Sequence, residues 1–228
     1  MLLRFHAAFA LAAAVVLGPA FLATPLYSKT SATAILVGAH TIAFPLIAGA
    51  GSELYRMWRF AILVSVFQVL PDWFLVRVLH TLRFSDWVWM VGGDVPVYMA
   101  AMWAIPLVWV LASVPANAPV LMQHVSAAVM SLATFGASEV LLASPESPLQ
   151  LWSARARQRV FGSVAAYVLP AEAALGAAAA SGYLATSELA GWEGHLRRVL
   201  AAASVAIFYT GALCLSYMLV EAEIDGAH

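Results

Sequence analysis

The chain alternates between long apolar runs and short polar connections. A run of about 20 apolar residues spans about 30 Å as a helix, the thickness of a bilayer's hydrocarbon core. The alternation over ten residues that is typical of barrel strands is absent. The pattern predicts an all-α fold: a polytopic integral membrane helical bundle of about seven transmembrane helices, as a single domain over residues 1–228. The predicted spans are 5–27, 32–50, 56–80, 97–114, 120–142, one starting near 160 and including 167–172, and 197–221.

The first predicted span also has features of a signal peptide. It opens with MLLR before an alanine-rich run, and Gly18 and Ala20 form a small-x-small pair of the kind that precedes a cleavage site. The uncharged run is long for a signal peptide, which favours a retained helix. Cleavage of residues 1–23 remains the alternative.

Composition supports the membrane prediction and leaves the orientation open. Of 228 residues, 63% are hydrophobic and 10% charged, with a mean hydropathy of +0.87, whereas a soluble domain is nearer 25% charged. The net charge of −1 gives no case for binding nucleic acid. The basic residues divide almost equally between the two predicted faces, so the positive-inside rule does not orient the chain.

Carboxyl groups within the predicted spans are the candidate chemistry. Asp72 follows Pro71 in an apolar run, and an ionised carboxylate near a bilayer centre costs about 2.5–3.5 kcal/mol. Glu139 and Glu172 lie in two other spans. A buried acid without a cation tends to stay protonated, and can then donate a proton to an alkene or an epoxide. We predict Asp72 and Glu172 as proton donor and acceptor, with Glu139 supporting; the alternative is that these acids only orient helices or join them.

Aromatic residues are dense in the same spans, and aromatic faces stabilise cations. A second interpretation is that the tryptophans and tyrosines anchor the helices at the lipid headgroups. In that interpretation, His40 is a hydrogen-bond partner in helix packing. The predicted substrate-binding residues are Trp73, Trp103, Tyr167, Tyr217 and His40.

Several motifs are absent from the sequence, and this favours chemistry without metal or cofactor. The chain has no DDxxD pattern for magnesium diphosphate and no HxxxH or HxxH pair for a di-iron centre. The last span has no lysine, which excludes a retinal Schiff base there.

Two weaker patterns concern packing and symmetry. Gly176 and Ala180 form a small-xxx-small pair that predicts a close helix contact. The strings VLPD at 69–72 and VLPAE at 168–172 look alike, and three-helix units would make them an inverted pair.

From Val66 onward the chain resembles a family of small polytopic membrane proteins of unassigned function. The motifs that carry the resemblance are VLPDWFL, GDVPVYMAAMWAIPL, FGASE, YVLPAE and FYTGALCLSYMLVE. Pro170 to Glu172 is more weakly similar to the proline–glutamate motif of heterodimer-type lycopene cyclases, although Ala171 replaces that family's first acid. The size of the chain and the placement of its acids on separate spans also resemble those of the meroterpenoid cyclases. These weaker resemblances imply an isoprenoid cyclase.

Three functions follow as hypotheses. The first is a membrane-embedded, metal-independent acid–base enzyme that cyclises, hydrates or isomerises an apolar, isoprenoid-like molecule. The second is a non-catalytic assembly subunit of a membrane complex, and the third a small transporter or proton pathway. The expected partners are membrane lipid and an apolar small molecule, with a homo-oligomer or a larger membrane complex left open.

Overall fold

The computed structural model describes residues 2–16, 29–85, 89–147 and 150–221. Within these ranges the chain forms nine helices and six short strands. The helices are α1 Leu2–Val16, α2 Lys29–Ala48, α3 Glu53–Phe67, α4 Val69–Arg77, α5 Met99–Met102, α6 Ala104–Ala112, α7 Val120–Ala143, α8 Val168–Thr186 and α9 Gly191–Val220. The strands are β1 Leu82–Phe84, β2 Met90–Val91, β3 Val95–Pro96, β4 Trp152–Ala154, β5 Arg159–Val160 and β6 Val164–Ala165.

Five helical segments of the described chain are long and apolar enough, by length and composition, to cross a membrane, as the membrane prediction requires. Two further apolar segments are shorter, so the count of seven spans stays a prediction. Part of the first predicted span, residues 17–28, lies outside the described residues. The five long segments are Lys29–Ala48, Glu53–Arg77, Val120–Ala143, Val168–Thr186 and Gly191–Val220, and the two short ones are Leu2–Ala14 and Met99–Ala112.

The third predicted span, 56–80, is interrupted in the structure, and this interruption determines where Asp72 lies in its helix. Helix α3 ends at Phe67, and α4 begins at Val69 after a turn at Gln68. Pro71 has no N–H and cannot close the usual helical hydrogen bond, which weakens the helix at this point. The amide of Asp72 still donates to the carbonyl of Gln68 at 3.2 Å. Asp72 therefore lies in the first turn of α4, in the last third of the combined 53–77 segment.

The segments predicted as loops contain short strands, so the all-α prediction is incomplete. Strands β1 and β4 pair antiparallel, with Arg83 opposite Ser153. Strands β2 and β3 form one hairpin, and β5 and β6 form a second. Because the second hairpin occupies residues 159–165, helix α8 begins at Val168, later than the predicted start near residue 160.

The strands show that the chain contains a repeat. Residues 53–112 and 120–186 each comprise a long helix or broken helix, a single strand, a hairpin and a second helix or broken helix. The two hairpin turns have matching backbones, with φ of +61° and +82° at Gly92 and Gly93 and +52° and +78° at Phe161 and Gly162. A buried tyrosine, Tyr98 or Tyr167, immediately precedes the next helix in each half.

The two halves run in the same direction. Because β1 and β4 pair directly, both hairpins lie at one end of the bundle, which we call the hairpin end. The pairing is centred on Arg83 and Ser153, which fits an approximate two-fold rotation through the ladder. The predicted inverted relation is therefore wrong: residues 168–172 follow the second hairpin and correspond to 99–103 in the first half, rather than to the similar string at 69–72.

Candidate active site

A cavity of about 150 Å³ lies beneath the β1–β4 ladder, between helices of both halves. A buried water needs roughly 10–15 Å³ by the same measure, so the space is several times what one water requires. Most of its wall is apolar or aromatic. The lining residues used below are Asp72, Thr81, Trp103, Phe135, Glu139, Trp152, Tyr167 and Tyr209.

Asp72 contributes the first carboxyl of the cavity. The residue is 2% exposed, and its Oδ2 accepts a hydrogen bond from the indole Nε1–H of Trp103 at 3.1 Å. Trp103 lies at the turn between α5 and α6, and its ring lies 4.8 Å from the ring of Phe135 on α7. Packing of the indole therefore orients the donor that holds the Asp72 carboxyl.

Glu139 contributes the second carboxyl, from α7 in the other half of the repeat. Its Oε2 accepts from the indole Nε1–H of Trp152 at 3.1 Å. Trp152 is in β4, opposite Phe84 of β1, and the two rings meet edge to face at 6.2 Å. The strand ladder thus positions the donor to Glu139. Among the described residues, no cation lies within ion-pair distance of Asp72 or Glu139.

Glu172 lies behind the cavity wall rather than in it. The residue is 1% exposed, and its Oε2 has no hydrogen-bond partner in the described part of the chain. Its backbone carbonyl accepts from the hydroxyl of Ser131 at 2.6 Å, which fixes α8 against α7. Glu139 is close enough to interact electrostatically with both Asp72 and Glu172. The three predicted acids therefore converge, and two of them reach the cavity.

The tyrosines that precede α5 and α8 border the same region. Tyr167 lines the cavity, and its hydroxyl shares a 2.6 Å hydrogen bond with the hydroxyl of Thr81. Tyr98 holds the corresponding position in the first half, and both tyrosines are buried.

The predicted binding residues divide between the cavity and other places. Trp103 and Tyr167 line the cavity, and Tyr217 packs edge to face on Tyr167 with ring centroids 5.5 Å apart. Trp73 is 40% exposed, near the first hairpin turn. His40 belongs to a separate aromatic cluster.

This second cluster is formed by α1, α2 and α6. The Nε2 atoms of His40 and His6 are 3.4 Å apart. Phe44 stacks on His40 with centroids 5.4 Å apart, and Trp109 packs on His6 at 4.8 Å. The described residues contain no group of three or more histidines, cysteines or acids arranged to hold a metal ion.

Sequence reasoning missed three lining residues that matter for the site. Trp152 lies in a polar connection, where an indole is typical of a membrane interface, and only strand pairing brings it to Glu139. Thr81 lies in none of the motifs named above, and Tyr209, although it lies within FYTGALCLSYMLVE, was given no role. Tyr209 is 1% exposed, and its ring meets that of Trp103 edge to face at 6.0 Å.

The fold and the cavity define a class: a mostly helical protein with five segments long and apolar enough to cross a membrane, built from two repeats that run in the same direction around an apolar chamber with two carboxyls. The chain belongs to the family described as a domain of unknown function, DUF6989, whose pattern matches residues 69–220. This confirms the predicted membership of a family of unassigned function. No curated protein and no solved structure matches the chain. The comparisons give no support to the weaker resemblance to isoprenoid cyclases.

Proposed function

We propose that the chain is a membrane-embedded acid–base enzyme that acts on an apolar, isoprenoid-like molecule. The observation that supports this most directly is the convergence of Asp72 and Glu139, from opposite halves of the repeat, on one apolar cavity. Each carboxyl is held by one indole N–H. A joint between helices would need neither an open chamber nor carboxyls facing into it.

The chemistry we propose is protonation of an alkene followed by loss of a proton. The carboxyl of Asp72 donates its proton to one alkene carbon, so that the π electrons form the new C–H bond and leave a carbocation on the other carbon. In cyclisation a second alkene of the same molecule attacks the cation and forms the ring bond. Glu139 then removes a proton from the carbon beside the new cation, which restores an alkene; the product is an isomer of the substrate.

The cavity walls suit a cationic intermediate. The aromatic rings of Trp103, Phe135 and Tyr209 line the space, and aromatic faces attract cations by about 0.5–2 kcal/mol each. Glu139 is partly accessible whereas Asp72 is 2% exposed, so Glu139 is the better placed to exchange its proton with water. A proton then passes from Glu139 to Asp72 through the shared cavity, which leaves Asp72 protonated and Glu139 ionised for the next turnover. The sequence prediction paired Asp72 with Glu172; the geometry favours Glu139 in that role, with Glu172 supporting it from behind.

The test uses membranes that contain lycopene or shorter acyclic polyenes as probes, in H₂O and in D₂O. Wild-type protein is expected to convert one probe to an isomer that carries one solvent deuterium, or to a hydrate. Asp72→Asn and Glu139→Gln should each slow conversion by roughly 10²–10⁴-fold, the usual contribution of general acid–base catalysis. Glu146→Gln, a matched change at an exposed acid, should have no effect. Conversion at the wild-type rate in both cavity variants would refute the proposal.

The parallel repeat supports transport as a second candidate. Transporters built from parallel repeats place a site between the halves, as this cavity is placed. A proton pathway through Asp72 and Glu139 would give pH-driven flux in proteoliposomes, lost in Asp72→Asn, with no chemical change in any polyene. Flux without turnover would favour transport over the enzyme.

A further inference from the structure

A second cavity, which is polar and has a volume of about 310 Å³, lies at the end of the bundle opposite the hairpins. It is formed by the first turns of α3 and the connection from α8 to α9. We propose that this cavity, which we call the arginine pocket, binds a phosphate group, independently of the carboxyl chamber. Its lining residues are Arg56, Arg59, Ser187, Leu189, Ala190, Gly191 and Arg198.

Arg198 is the buried cation of the pocket. The residue is 8% exposed, and one terminal nitrogen donates to the carbonyls of Thr186 and Leu189 at 3.2 and 2.9 Å. Both contacts use the same nitrogen. The Nε and the other terminal nitrogen have no hydrogen-bond partner in the described chain, so they remain available as donors to a ligand. A guanidinium carries five N–H donors in a fixed fork that matches phosphate oxygens.

The positive charge of the pocket is only partly neutralised. Arg56 pairs with Glu53 and, more loosely at 3.8 Å, with the exposed Glu188. No carboxylate of the described residues lies within ion-pair distance of Arg59 or Arg198. Three arginines against two glutamates leave one positive charge in excess around the cavity. Since Arg198 is mostly removed from water, an anion that replaces its lost hydration is strongly favoured.

The backbone around the arginine pocket adds N–H donors, which attract an anion as the guanidinium groups do. Helix α9 begins at Gly191 in the pocket wall, and no side chain of the described residues caps its first amides. Exposed first-turn amides and the positive end of the helix dipole favour an anion beside the guanidinium groups. Phosphate, with several acceptor oxygens, can accept from Arg59, Arg198 and these amides together. The source of that phosphate is either a lipid headgroup or free inorganic phosphate.

The experiment compares purified full-length protein with two charge-removing variants. Arg59→Gln removes a guanidinium that makes no hydrogen bond in the described structure. Arg197→Gln is the matched control, because Arg197 neighbours Arg198 but is exposed and pairs with Glu193. One arm titrates inorganic phosphate against thermal unfolding in detergent at constant ionic strength. The other arm counts phosphatidylglycerol and phosphatidylcholine molecules retained by the protein, using native mass spectrometry.

We expect Arg59→Gln to weaken phosphate or phospholipid binding by about tenfold, the loss typical of one charge-assisted hydrogen bond, and Arg197→Gln to leave it unchanged. A response in the phosphate arm assigns the site to a free anion, and a response only in the lipid arm assigns it to a headgroup. If neither ligand binds, or if both variants lose binding equally, the pocket is a structural charge network and the proposal is overturned.

Discussion

Replacing Gly176 by alanine should force helices α7 and α8 apart. A Cβ at this position would lie 2.3 Å from the carbonyl oxygen of Ala127 and 2.4 Å from the Cβ of Ser131. Ordinary contact begins at 3.4 Å, so the helices must separate by about 1 Å. Neither neighbour is the flexible end of a side chain. Overpacking of this kind costs typically 1–3 kcal/mol, which exceeds the gain of up to about 1 kcal/mol from alanine's higher helix propensity.

Gly211→Ala is the matched control for this prediction. Gly211 also lies inside a long helix, α9, but a Cβ there meets nothing within 4 Å. The control should therefore unfold at or slightly above the wild-type midpoint, while Gly176→Ala unfolds at a lower midpoint, with a free energy of unfolding reduced by up to about 2 kcal/mol net. Denaturation in mixed detergent micelles, followed by far-UV circular dichroism, measures both. Equal midpoints for the two variants would refute the close contact.

Two further predictions concern the hairpin end. Phe161→Gly should raise the unfolding free energy by about 1 kcal/mol, because Phe161 is 79% exposed and occupies a left-handed conformation that glycine adopts freely; thermal unfolding measures this, and a loss of stability would contradict it. Tyr167→Phe and Thr81→Val should each lower the free energy of unfolding by about 1 kcal/mol, because each breaks their shared hydrogen bond. A double-mutant cycle should give a coupling energy of that size. Additive losses of unfolding free energy would mean that the bond contributes nothing.

The helices could be predicted from sequence because their signal is local. A run of apolar residues near 20 long has few folded alternatives, and the predicted boundaries of α7 differ from the observed ones by one residue at most. The six strands could not be predicted in the same way, because two- and three-residue ladders have no periodicity. Their formation depends on pairing between distant segments, such as Arg83 with Ser153.

The carboxyls were recognisable from the sequence, but their grouping was not. A charged residue type in an apolar run is conspicuous by itself, which identified Asp72, Glu139 and Glu172. Which two share a chamber depends on how helices of different halves face each other. The likeness of 69–72 and 168–172 suggested an inverted repeat, whereas the repeat in the structure is carried by the hairpins and by the tyrosines that follow them.

The β1–β4 ladder implies something about how such a chain arises. An edge that pairs with its own equivalent about a two-fold axis is self-complementary, so a half-length ancestor bearing one copy would have bound a second identical copy through it. Fusion of two copies of the gene would keep that strand pairing while allowing each copy to diverge. Divergence of this kind would allow equivalent positions to differ, as Trp103 and Glu172 do, and so give an asymmetric interior to a chain built from two similar halves.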